Sequence, residues 1–148
     1  SLYENAVTDS SYKVAGAAFA GLAQLNPDQA YTLAKKFSTD AKGDLGNEIM
    51  DILLKKGTAA DFDFIAGTYR DMPPSQEKFN MNDNFTEYLL TLTDISNIKK
   101  GIDYMISFRN IIPEQYRNFI DPGFKANFDK LSKSKGKEIE EYVKSVFK

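Results

Sequence analysis

Residues 10–37 read SSYKVAGAAFAGLAQLNPDQAYTLAKKF, and their spacing decides the fold class. Val14, Ala17, Ala18, Leu22 and Leu25 recur at i, i+3 and i+4 intervals, with Gly21 on the same stripe. That is the period of an amphipathic helix. Ser10 and Ser11 offer hydroxyls to the first free N–H groups. Asn26-Pro27 ends this helix and starts the next, because proline suits the first helical position and disfavours helix in the residue before it. Ala30, Leu33, Ala34 and Phe37 form the second stripe, and residues 38–43 read as a polar loop.

The pattern then returns. A shift of 32 places Ala18 on Met50, Leu22 on Leu54, Ala30 on Phe62, Leu33 on Ile65, Ala34 on Ala66 and Phe37 on Tyr69. Asp44 is the expected cap of a third helix with Leu45, Ile49, Ile52 and Leu53 inward, widened by Met50 and Leu54. Gly57 is its natural stop. Thr58 is the expected cap of a fourth, with Phe62, Ile65, Ala66 and Tyr69 inward, and Met72-Pro73-Pro74 breaks the chain. One hairpin of this kind cannot bury its apolar faces alone, so such pairs stack into arrays.

Beyond residue 74 the helical period persists with more aromatic residues. Phe85, Tyr88, Leu89 and Leu92 mark a fifth helix. Thr93 or Asp94 caps a sixth, carrying Ile95, Ile98, Ile102, Met105 and Ile106. Pro113 starts a short segment through Phe119, and Asp121-Pro122 begins another with Phe124, Phe128 and Leu131. Lys133 to Gly136 reads as a solvated loop, and Ile139, Tyr142, Val143, Val146 and Phe147 form a terminal helix. The expectation is an all-α fold of HEAT/armadillo-like helical hairpin repeats, an α-α superhelix of about eight helices. It is one domain over 1–148, with two hairpins in 1–74 and an aromatic-rich helical tail in 75–148.

Composition narrows the chemistry. The 148 residues carry a formal charge of −2 with 27% charged and 42% hydrophobic residues, the profile of a globular domain. There is no cysteine and no histidine. Disulfides, thiolate or imidazole zinc sites and the Ser-His-Asp triad are therefore excluded within this chain. The near-neutral charge disfavours a nucleic-acid partner, and no apolar run approaches the roughly 18 residues of a membrane span.

Asp9 to Leu25 has the form D-x-S-Y-x-V-x-x-A-A-x-x-x-L-x-x-L. It resembles the opening of the C-terminal HEAT-like helical domain of aminopeptidase N-type (gluzincin) zinc metallopeptidases. The resemblance covers residues 8–72 and extends more loosely to the rest. It implies that the chain is excised from a longer zinc aminopeptidase and is its noncatalytic C-terminal part. That part caps the active site and shapes the peptide-substrate chamber. The partners implied are the parent's own catalytic domain and the peptide substrate. The family's H-E-x-x-H and G-x-M-E-N motifs are not in this sequence, so no cofactor is expected here and zinc is expected in the absent catalytic domain. A start without Met at Ser1 fits that expectation.

Three arginines are present: Arg70, Arg109 and Arg117. A guanidinium grips a carboxylate with two parallel hydrogen bonds. Arg109 and Arg117 straddle the Ile112-Pro113 break and are the candidate substrate contacts; the other reading of either is an ion pair. Asp61, Asp63 and Asp71, Asp40 and Asp44, or the run Asn80, Asn82, Asp83, Asn84 lack the glycine and closing glutamate of a calcium loop, and read as solvated helix starts. Phe108, Tyr116, Phe119, Phe124 and Phe128 read as core or interdomain packing, and an exposed aromatic patch would mark a face made for another domain. The mild basicity of 122–148 reads as a solvated helix, since Glu138, Glu140 and Glu141 interrupt it. Two other classes remain. One is a freestanding HEAT-like interaction scaffold. The other is a hydrolase using paired carboxylates such as Asp61 and Asp63, for which no geometry is specified.

Overall fold

A computed structural model describes residues 12–38 and 43–148, with backbone alone for 12, 13, 43 and 44. The Asp9, Ser10 and Ser11 caps, the Asp44 side chain and most of the 38–43 loop, Asp40 included, lie outside the described residues. Among those described, every regular element is helical. None of these helices is long and apolar enough to cross a membrane. The chain divides into two compact units, 1–57 and 58–148.

The first unit holds α1 (Tyr12–Leu25), α2 (Pro27–Phe37) and α3 (Gly43–Lys56), each packed on the other two. Asn26 caps α2, its side-chain oxygen accepting from the Gln29 N–H at 3.2 Å. Proline follows at the first helical position, where no N–H is needed. The buried stripe of α1 is Ala15, Ala18, Phe19 and Leu22, one residue round from the expected one: Val14 is 49% and Leu25 73% exposed. The bulk of Phe19 sets this rotation. Helix α3 starts at Gly43, so Asp44 lies inside the first turn rather than before it. Leu45, Ile49, Met50, Ile52, Leu53 and Leu54 are all buried, and Gly57 follows the helix as expected.

In the second unit Thr58 precedes a 3-10 turn, Ala59–Asp61, and its hydroxyl makes no capping bond. Helix α4 (Phe62–Asp71) begins only after that turn and buries Phe62, Ile65, Ala66 and Tyr69. Then come the short α5 (Gln76–Asn80), α6 (Asn82–Leu90) and α7 (Ile95–Ile111), the last capped by Asp94 through the Ser96 and Asn97 N–H groups. Helices α8 (Arg117–Lys135) and α9 (Lys137–Val146) complete it. Helix α4 packs on α7, α6 on α8, and α9 on both α7 and α8. Of the six pairs made by the 32-residue shift, four share one disposition, while Leu33 and Phe37 are only half-buried where Ile65 and Tyr69 are fully buried. Ala18 and Met50, Leu22 and Leu54, Ala30 and Phe62, and Ala34 and Ala66 are all buried. The packing is helical and repeat-like.

Two expectations in the tail are corrected. Pro122 does not start a helix; it lies inside α8, which runs unbroken through it. The ring and the preceding turn at Asn118 are exposed, so the carbonyl that proline cannot satisfy lies on the outer side. Lys133 to Lys135 are the last turn of α8, not a loop. Only Gly136, at φ +92°, ends the helix, a backbone region that favours glycine. The Lys135 ammonium donates to the carbonyls of Leu90 (2.9 Å) and Leu92 (2.5 Å), closing the end of α6.

The core of this unit is a chain of rings. Phe124 meets Phe79 and Phe108 edge-on, each at 5.9 Å, and Phe128 at 6.2 Å; Phe128 meets Phe147 at 5.1 Å. Phe108, Phe124 and Phe128 thus form core as expected. Tyr116 and Phe119, grouped with them in sequence, are 51% and 82% exposed instead.

At Gly101 an added Cβ would stand 2.5 Å from Leu89 Cδ2 and 2.9 Å from Cδ1. Leu89 is fully buried and has no free direction to turn. Gly101→Ala therefore lowers stability by about 1–2 kcal/mol despite alanine's better helix propensity, read as a lower urea midpoint.

Candidate functional site

The reversal at Ile112-Pro113 brings Arg109, at the end of α7, and Arg117, at the start of α8, to one residue. Arg109 Nη1 donates to the Asn110 side-chain oxygen at 3.2 Å, and Arg117 Nη2 reaches the Asn110 carbonyl at 3.4 Å. The two guanidinium groups then differ sharply.

Arg109 is 6% exposed. Its fork closes on Asp121, Nε to Oδ1 at 2.9 Å and Nη2 to Oδ2 at 2.8 Å. Nη1 also donates to the Lys148 backbone oxygen at 2.9 Å, and the guanidinium carbon lies 5.1 Å from the Phe147 ring centre. Nearly all its donors are occupied, so Arg109 is an internal brace tying α7, α8 and the segment after α9 together. The same hydrogen bonds hold the Asp121 carboxyl below the usual carboxylate range.

Arg117 is half-buried. Its Nε is shielded from solvent and has no hydrogen-bond partner. Around it in sequence stand the exposed side chains Ile111 (64%), Tyr116 and Phe119. This edge, a half-buried cation among exposed apolar groups, is the arrangement best suited to meeting another surface.

A second cluster carries no pattern legible in the sequence. Lys78 is only 3% exposed. Its Nζ donates to the carbonyls of Met72 (2.8 Å) and Arg70 (3.2 Å), closing the end of α4 at the Pro73-Pro74 break. The ammonium also lies 4.9 Å from the ring centres of both Tyr69 and Phe108. Burial pushes its pKa down to about 8, opposed by the charge of Asp71. Tyr69 stacks flat on Phe85 at 4.1 Å and donates its hydroxyl hydrogen to Asn82 Oδ1 at 2.6 Å. Enclosed and doubly bonded, this amine clamps a turn rather than presenting a nucleophile.

The acidic groups stay apart. Asp63 approaches Lys100 at 3.9 Å, Asp71 pairs with its neighbour Arg70, and Asp83 accepts from Asn127 at 3.1 Å. Asn80 bonds Gln76, while Asn82 is buried under Tyr69. Among the described residues no group of three or more carboxylates gathers as metal ligands would. No family model, curated protein or solved structure matches the chain.

Asp121→Asn is expected to cost about 2 kcal/mol near neutral pH, since it leaves a buried guanidinium facing a neutral amide. The native carboxyl titrates below its unfolded value, so this stabilisation is present above the unfolded pKa and is lost as pH falls through the native one. Urea titrations of wild type and variant therefore converge in acid. Lys78 is shifted in the same direction, at the alkaline end of the scale. Between about 8 and the ordinary lysine value the unfolded chain keeps a proton that the native chain has released. Wild type gains stability relative to Lys78→Met across that alkaline window.

Proposed function

We propose that this chain is a noncatalytic helical module that caps the active site of a larger zinc aminopeptidase and helps shape its peptide chamber. The observation that carries the reading is the edge from Ile111 to Phe119. It exposes three large apolar side chains beside the half-buried Arg117. Apolar residues spread on a free surface lose their contact with water only when another surface covers them. The form of residues 9–25, which resembles the opening of the gluzincin C-terminal domain, supplies the identity of that surface: the catalytic domain of the same polypeptide. The chain has no histidine, so in this reading the zinc ligands are contributed by that other domain.

Of the two candidate substrate contacts, Arg117 is the more accessible, while Arg109 positions the turn that presents it. A peptide carboxylate would meet Arg117 at the edge, and the exposed rings would line the approach. A freestanding interaction scaffold would use the same edge for a separate partner.

The coding frame upstream of Ser1 tests the reading first. The expected result is an in-frame H-E-x-x-H helix with a later glutamate; a start codon next to residue 1 overturns it. In the longer enzyme Phe119→Glu should lower kcat/KM for peptides by about tenfold, while changing the stability of this chain by less than about 0.5 kcal/mol because the side chain is exposed. Arg117→Ala should raise KM with kcat kept. Unchanged kinetics in both variants would remove the edge from the chamber.

A further inference from the structure

We infer that Asn82 and Thr86 hold one buried water molecule between them, on the inner face of α6. Asn82 is 2% exposed and Thr86 fully buried. Asn82 Oδ1 is taken by the Tyr69 hydroxyl, which orients the amide and leaves Nδ2 as its unused end. Asn82 Nδ2 and Thr86 Oγ1 are both sealed from solvent without a protein partner. The two residues lie one turn apart on the same helix, at i and i+4, where side chains are neighbours.

Thr86 also departs from the other helical threonines. Thr32 and Thr68 return their hydroxyls to the carbonyls of Asp28 and Phe64, four residues back. Thr86 makes no such bond, and its oxygen is left without a protein partner. A free amide N–H and a hydroxyl call for a small neutral group that accepts one hydrogen bond and exchanges another. Water does this, and buried waters characteristically join polar groups that protein atoms leave unmatched. The amide donor repels a cation. The water would extend a polar path that already runs from the Lys78 ammonium over the Tyr69 ring to Asn82.

The test is water-to-protein NMR cross-relaxation on the full 148-residue chain, with wild type, Thr86→Ser and Thr86→Val. A long-lived water is expected to show cross-peaks to the Asn82 side-chain amide and the Thr86 methyl. The amide cross-peak should persist in Thr86→Ser and vanish in Thr86→Val, whose Tm should fall by a few degrees. No long-lived water in wild type, or a Thr86→Val chain that melts higher, overturns the proposal. A higher melting point would mean that the hydroxyl is an unmatched group better removed. If Thr86→Val does not fold, the wild-type amide cross-peak decides alone.

Discussion

The second unit depends on the burial of one ring. Phe124 lies fully enclosed at the middle of α8 and touches rings from α5, α7 and its own helix. Three helices of different length and direction are thereby referred to a single side chain. Each aromatic contact adds to the apolar burial by about 0.5–1.5 kcal/mol. The neighbouring Gly123 belongs to the same constraint. A Cβ there would stand 3.0 Å from the edge of Phe79, so glycine sets how closely α5 approaches α8.

Around this apolar centre the polar groups have strict tasks. Two lysines, 78 and 135, each close the carbonyl end of a helix that no glycine finishes. An ammonium offers three donors in any direction and complements the negative end of the helix dipole. Arg109 does a different job because its fork is planar. It matches the Asp121 carboxylate atom for atom, and that match holds the residue before Pro122 helical, against the usual preference of a residue preceding proline.

Most helices are legible because apolar period and punctuation agree: Ile98, Ile102, Met105 and Ile106 between the Asp94 cap and Pro113 are the plainest case. Helix α1 turns one residue away from its expected stripe because alanine and glycine surround it. With small residues on every side, two adjacent stripes satisfy the same period, and only Phe19 separates them. Pro122 reads as a boundary because a proline's environment, an outward ring and a braced neighbour, is not written beside it. The Arg109 brace joins residues 12 apart across a reversal, and Lys78 bonds backbone carbonyls, which have no letter in a sequence. The candidate site is half visible: the two arginines stand out in the sequence, but not that one is consumed internally while the other stays nearer the surface.

The brace also sets an order of assembly. Helices α1 to α3 pack on one another within the first 57 residues. Arg109 must wait for Asp121, Phe147 and finally the Lys148 oxygen. Chains emerge from the ribosome at about 5–20 residues per second, and early units fold as they appear. The first three helices therefore settle while the second unit is still a set of unjoined segments. Its exposed rings are protected last, so the interval of greatest risk from aggregation lasts until residues 147 and 148 have joined the brace.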